Sequence, residues 1–296
     1  MGNPWIGKRT SLPPLVEITE IVKELHTLQK VAVRLHPRRG ESVLEASKMG
    51  GSVLWGAETP LPMCEAHSIP RIPILQLRKD DVPQLPFREG EDLFQIWWCP
   101  KDHEGTYAPD PAVFWLSLKD FANIPLRDEF PIPEVEDHEN ESIPFPCLLN
   151  PEPVTDYPHA FDLADYYPEI WEKITKSDQL RELALQHPEF NVKSAVDLYQ
   201  YLLGASSGTK LGGYPNWSQS PEYLLCDHGH QMEFLAQIDS AEFDGGTWGR
   251  WLTIEEKEVW EADYRTRNKV QRAAGLMLGD MGALFFSFVI YVPIAP

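Results

Sequence analysis

Ser47-Lys48-Met49-Gly50-Gly51, with Trp55 four residues on, and Thr209-Lys210-Leu211-Gly212-Gly213, with Trp217 four residues on, decide how this 296-residue chain is read. The pattern is a hydroxyl residue, Lys, an apolar residue, Gly-Gly, three free positions and Trp. It occurs twice, 162 residues apart. At the same offset Cys64 falls on Cys226, and after a slip of one residue Ile74-Leu75-Gln76-Leu77 falls on Leu235-Ala236-Gln237-Ile238. Each unit then reaches an apolar, aromatic run, Leu93 to Cys99 and Leu284 to Ile290. Several features in one order at one spacing indicate an internal repeat, the signal to be sought before any other.

The chemistry of the repeat is that of a β-rich module. A Gly-Gly pair frees two positions for positive φ in a tight turn, and the Trp that follows covers that turn. A Gln inside an apolar strand requires hydrogen-bond partners, so Gln76 and Gln237 are expected to tie loop backbone to the sheet. The same residues are also candidates for ligand or peptide contact: Lys48, Gly50, Gly51, Trp55 and Gln76 in the first copy, and Lys210, Gly212, Gly213, Trp217 and Gln237 in the second. Adjacent Trp97 and Trp98 on a strand point to opposite faces, which makes Trp98 a candidate exposed anchor, and Trp248 in a Gly-rich stretch is another.

Outward from the repeat, the fold class expected is α+β: two copies of the module related by an approximate pseudo-twofold, with peripheral helices. Helical spacing of apolar residues marks Leu15 to Leu28, Tyr166 to His187, Val196 to Leu203 and Trp260 to Ala274. Val31, Val33 and Leu35 alternate as in a strand, and Ala283 to Val292 reads as a buried strand. Between the copies, Asp128 to Glu172 carries thirteen acidic residues and no Lys or Arg, against a net charge of −19 for the whole chain. It is read as a Pro-rich acidic connection, either solvated or a docking surface for a basic partner. The organisation expected is therefore residues 1–127 with the first copy, 128–172 as connection, and 173–296 with the second copy.

Composition excludes some classes. At 43% hydrophobic residues the chain is too apolar to be disordered. Its acidity argues against nucleic acid and against anionic membranes, both of which need a basic face. The first nine residues hold no signal-peptide core, and the longest apolar run, Leu284 to Val292, is roughly half of a membrane span. Four dispersed cysteines form no disulfide framework, so a cytoplasmic protein is expected.

The second copy, Thr209 to Trp217 with Phe234-Leu235-Ala236-Gln237-Ile238 and then Gly279 to Phe286, resembles the bacterial YwqG-like domain family, whose function is unknown. That family is distantly similar to the programmed cell death protein 2 group, whose members chaperone a ribosomal protein. The resemblance implies a non-catalytic protein-binding role, chaperone-like or of the immunity type, with a protein partner that its acidity would favour as basic. It covers residues 45–100 and 205–292, and the first copy departs from it: Ser52-Val53-Leu54 replaces a Pro-containing loop.

Cys64-x-x-His67 and Cys226-Asp227-His228-Gly229-His230 are candidate metal ligands. The resemblance places a Cys-x-x-Cys here, and four such ligands suit tetrahedral zinc. With the ligands split between two copies, the expectation is a degenerate remnant with no metal and no cofactor. Gly204-Ala205-Ser206-Ser207-Gly208 matches a nucleophile elbow literally but follows a helical stretch, so a helix end is expected. The alternative to a binding protein is a small-molecule hydrolase using carboxylates in a cleft between the copies.

Overall fold

A computed structural model describes residues 8–105, 108–136 and 139–289. In chain order the strands are β1 (Lys30–Arg34), β2 (Arg38–Arg39), β3 (Lys48–Met49), β4 (Met63–Cys64), β5 (Ile69–Pro70), β6 (Ile72–Arg78), β7 (Leu93–Cys99), β8 (Asp110–Leu116), β9 (Cys147–Leu148), β10 (Glu152–Asp156), β11 (Lys210–Gly212), β12 (Glu233–Asp239) and β13 (Ala283–Phe288). The protein is α+β, with one antiparallel sheet of six strands, another of five, and a separate β4–β5 hairpin.

The chain divides into two compact units, and both are discontinuous in sequence. The first holds Leu35–Pro151 and Tyr264–Gly282; the second holds Arg9–Arg34, Glu152–Asp263 and the chain from Ala283 on. These boundaries differ from the divisions at 127 and 172. The reason lies in the acidic segment, whose first part, residues 128–136 and 139–141, is largely exposed but whose later part enters both sheets. It contributes β9 to the six-stranded sheet, between β2 and β3, and β10 to the five-stranded sheet, beside β1. Its Asp156 and Asp162 are buried.

In the first unit the strand order is β2-β9-β3-β6-β7-β8. β7, Leu-Phe-Gln-Ile-Trp-Trp-Cys, lies between β6 and β8 and all seven residues are buried, which explains why its sequence is apolar throughout instead of alternating. Trp98 is therefore not an exposed anchor. It is fully buried, and its indole N–H donates to the Ser142 carbonyl at 2.8 Å. Trp97 packs against Trp55, Phe114 and Phe130 with ring centroids 4.9, 6.3 and 5.5 Å away.

In the second unit the order is β10-β1-β11-β12-β13. Its helices form a cluster around Leu25, Leu163, Ile174, Leu180, Leu198 and Tyr199. Local signals set their ends. Pro168 opens Pro168–Thr175, and the Ser177 and Ser194 hydroxyls accept the Leu180 and Asp197 amides at the starts of Asp178–Gln186 and Ala195–Leu198. The helix expected over Leu15 to Leu28 is only a short α-turn, Ile18–Ile21, followed by the 3-10 segment Lys23–Leu28. β13 begins at Ala283 as expected; the last residues of that run lie outside the described residues. Trp248 is buried too, stacked on Trp260 at 4.5 Å and edge-on to Phe190 at 5.0 Å. Among the described residues no helix is long and apolar enough to cross a membrane.

Candidate functional site

The Gly-Gly loops come first because they position everything near them. All four glycines have positive φ: Gly50 at 65°, Gly51 at 70°, Gly212 at 61° and Gly213 at 71°. A Cβ on Gly213 would stand 2.3 Å from the Asp156 carboxylate and 2.7 Å from the Ala32 Cβ, so side-chain size as well as φ excludes other residues.

Gln76 and Gln237 do tie these loops down. Gln76 Oε1 accepts the Leu54 amide at 2.8 Å, and its Nε2 donates to the Leu44 and Ala46 carbonyls at 2.8 and 2.9 Å. Gln237 Oε1 accepts the Asn216 amide at 2.9 Å, while its Nε2 donates to the Gly208 carbonyl at 3.0 Å. In each case the donor is the residue just before the loop Trp. Gln95 completes the first set, donating to Gln76 Oε1 and to the Leu54 carbonyl, both at 2.9 Å.

The two lysines of the loops are also internal. Lys210 is fully buried and donates to Asp156 Oδ2 at 2.9 Å and to Ser206 Oγ at 3.1 Å; Asp156 also accepts the Ser206 and Tyr214 amides. Ser206 is thus a fully buried member of this network, leading into β11, and not a residue on a strand-to-helix elbow. Lys48 is 4% exposed, and burial brings its pKa down to about 8, against the pull of Glu45 and Glu41. Opposite Lys210 in the five-stranded sheet, Arg34 is enclosed by the Ser207, Trp251 and Glu242 carbonyls and the Ser11 hydroxyl at 2.8–3.1 Å. The loop residues singled out from sequence are therefore framework. They hold the sheets, and Gly213 also lines a cavity of the second unit.

Two features have the character of sites. The first is a cavity of about 510 Å³ in the second unit, walled by Tyr166, Tyr167, Tyr214, Tyr223 and Phe234 and reaching Asp162. Asp162 is 3% exposed. Its Oδ1 accepts the Tyr223 hydroxyl at 2.6 Å, whereas its Oδ2 and the Trp217 indole nitrogen are buried without well-aligned hydrogen-bond partners. Burial holds the Asp162 carboxyl above its ordinary pKa against the Tyr223 hydroxyl and the more loosely aligned Trp217 indole and His159 amide, all of which work to lower it. Trp217 packs on Tyr223 and Phe285 at 5.5 and 4.7 Å, so the Trp of the second repeat backs this cavity. Lys30 Nζ lies 4.3 Å from the Tyr214 ring centroid.

The second feature is in the first unit. Cys64, His67, Cys99 and His103 each bring one potential ligand atom into a cluster whose four atoms lie within 4.8 Å of one another. Cys64 Sγ is 3.7 Å from His67 Nδ1 and 3.3 Å from His103 Nε2; Cys99 Sγ is 3.4 Å from His67 Nδ1. Cys64 ends β4 and His67 lies in the turn to β5, while Cys99 ends β7 and His103 lies in the turn to β8. Burial works to raise the Cys64 thiol, but hydrogen bonds from His103, the His67 amide and Cys99 bring it down to about 6. Burial pushes Cys99 up to about 11.

Cys64 and His67 were candidates from sequence, but Cys99 and His103 were not. Cys226 and His230 stand 3.7 Å apart on a separate, largely exposed turn that also carries His228, and none of the three belongs to this cluster. The readable signal was a second Cys/His pair, Cys99-x-x-x-His103, at the end of the aromatic strand.

No known protein family matches the chain, and no curated protein is significantly similar to it.

Proposed function

We propose that this chain is a non-catalytic binding protein for a polypeptide that presents a cationic side chain, received in the tyrosine-walled cavity over Asp162. The observation that carries the reading is the buried Asp162 carboxyl at the base of an aromatic enclosure, met there by neutral donors, Tyr223 and the Trp217 indole, and by no cation. Aromatic faces attract ammonium and guanidinium groups, and Lys30 over Tyr214 already shows that wall in contact with one. A buried carboxylate met only by neutral donors is stabilised by an incoming cation. Glu233, the other acid lining the cavity, is exposed. One buried acid without a second convergent acid or base suits recognition better than hydrolysis. The acidic composition and the resemblance to the YwqG-like family support the same reading.

The two sheets are further read as copies of one module. Lys48 stands opposite Gln76 and Lys210 opposite Gln237, each Gln binds the amide preceding its loop Trp, and both Gly-Gly pairs share positive φ.

The test is binding of a fluorescently labelled Lys-rich peptide, with a Glu-rich peptide of equal length as control. Asp162→Asn keeps an acceptor for Tyr223 and is expected to weaken binding at least about 10-fold, because a desolvated charge pair is lost. Lys30→Ala removes a competing cation and is expected to strengthen it. Equal affinity for both peptides, or an Asp162→Asn variant that binds like the wild type, refutes the proposal.

A further inference from the structure

We propose that Cys64, His67, Cys99 and His103 form a closed tetrahedral zinc site that staples the β4–β5 hairpin to the β7–β8 turn. The inference concerns the first unit and does not depend on the cavity of the second. It departs from the expectation of a metal-free remnant: Cys64 and His67 are joined by Cys99 and His103, and not by residues of the second copy.

Geometry is the main argument. Zinc binds thiolate at about 2.3 Å and imidazole nitrogen at about 2.0–2.1 Å, so sulfur and nitrogen across one edge of a tetrahedron stand about 3.6 Å apart. Three of the four sulfur–nitrogen separations are 3.7, 3.3 and 3.4 Å, and all four donor atoms lie within 4.8 Å of one another. A small shift of the side chains would bring the remaining edges to the length a bound zinc requires.

The surrounding groups prepare the ligands. His103 Nδ1 is 3.2 Å from the Ala108 carbonyl oxygen, a partner that would hold the Nδ1 proton when a metal displaces the proton that Nε2 shares with Cys64. The backbone N–H of His67 points at Cys64 Sγ and that of Lys101 at Cys99 Sγ, the partners that buried thiolates need. The turn that returns His67 over Cys64 is closed by the Ser68 amide on the Cys64 carbonyl at 2.8 Å, and Ser68 adopts φ 55°, a left-handed conformation that a non-glycine residue rarely takes. Arg71 binds the Met63 carbonyl and the Asp110 carboxylate, bracing the hairpin against the start of β8.

Charge agrees. Cys64 and Cys99 are 1% and 0% exposed, and two buried thiolates alone would be costly. Two thiolates, two neutral imidazoles and Zn²⁺ sum to zero. Soft sulfur with imidazole in tetrahedral array selects zinc among the common divalent ions. Four protein ligands leave no open position, so the metal is structural and not catalytic.

The experiment is elemental analysis of the full chain purified under reducing conditions, followed by cobalt substitution of the stripped protein. One zinc per chain is expected. Cobalt should give the intense visible bands of a tetrahedral site together with a thiolate charge-transfer band, both abolished by added zinc. Cys99→Ser and His103→Asn are expected to lose stoichiometric zinc and bind it at least about 100-fold more weakly, whereas Cys226→Ser and His230→Asn should retain one equivalent. Should the ligand variants fail to fold, the wild-type cobalt spectrum still decides. A wild-type chain without zinc and without tetrahedral cobalt bands, a Cys64–Cys99 disulfide in its place, or loss of zinc in Cys226→Ser overturns the assignment.

Discussion

Replacing Gln76 with Leu tests whether the buried amide is what holds the first Gly-Gly loop to its sheet. The side chains are similar in size, so the change removes hydrogen bonds with little change in packing. Four contacts are lost: the Leu54 amide, the Leu44 and Ala46 carbonyls, and the Gln95 amide. The Leu54 N–H is buried and left unpaired, at about 1–3 kcal/mol. The two carbonyls are partly buried and cost less, and Gln95 keeps the Leu54 carbonyl as a partner. Burying the leucine returns about 1 kcal/mol. The net expectation is a loss of about 3 kcal/mol, or roughly 6–12 °C in Tm for a folding unit of this size. Urea unfolding followed by tryptophan fluorescence reads it directly, since Trp55 and Trp97 lie in the same unit. Gln84→Leu, at an exposed site, is the control and should stay within about 0.5 kcal/mol. A Gln76→Leu variant within about 1 kcal/mol of wild type, or an equal loss at Gln84, would show that the amide is incidental to the loop.

Gly213→Ala should destabilise the second unit severely, because its Cβ would meet Asp156 and Ala32 at 2.3 and 2.7 Å. Gly229→Ala, at φ 78° with nothing within 4 Å, should cost only the backbone strain of about 1 kcal/mol, and thermal unfolding of the two variants side by side checks the contrast. Asp239 gives a pH prediction. Burial raises its carboxyl from 3.8 to about 7, so the folded chain holds a proton that the unfolded chain releases at lower pH. Its contribution to stability is therefore present below about pH 4 and lost as pH rises to about 7. Asp239→Asn should match wild type near pH 4 and exceed it at pH 8, by at most about 4 kcal/mol. Urea midpoints that differ equally at both values would contradict this.

Much of the fold could be read from local pattern. The Gly-Gly pairs announced positive φ, Gln76 and Gln237 announced buried amide ties, and Val31 to Leu35 announced a strand. What could not be read was which strands pair across long separations. β9 and β10 lie in Pro-rich acidic sequence that carries no strand periodicity, and their place is set by β3 and β1. The same blindness hid the cysteine cluster. Sequence offset joined Cys64 to Cys226, whereas the β6–β7 pairing, with Ile72 opposite Trp98, is what brings Cys99 to the hairpin. The Tyr and Asp residues of the cavity have no shared motif at all. They come from the Ala160–Tyr166 helix and the residue after it, and from the stretch between β11 and β12, and only tertiary packing assembles them. Trp98 and Trp248 misled because a two-sided strand and a packed Gly-rich turn look, in sequence, like exposed aromatic display.

The interleaving of the two units sets a timetable for synthesis. Lys30 of β1 pairs with Asp156, 126 residues later, and Ala32 pairs with Gly212, 180 residues later. At roughly 5–20 residues per second on the ribosome, β1 waits about 6–25 s with both edges unpaired and about 9–36 s before its second edge can pair. An unpaired strand edge is an invitation to other chains. The nascent protein therefore spends its most vulnerable interval early, and slowing translation downstream of β1 should lower its soluble yield more than slowing it after β11 has emerged.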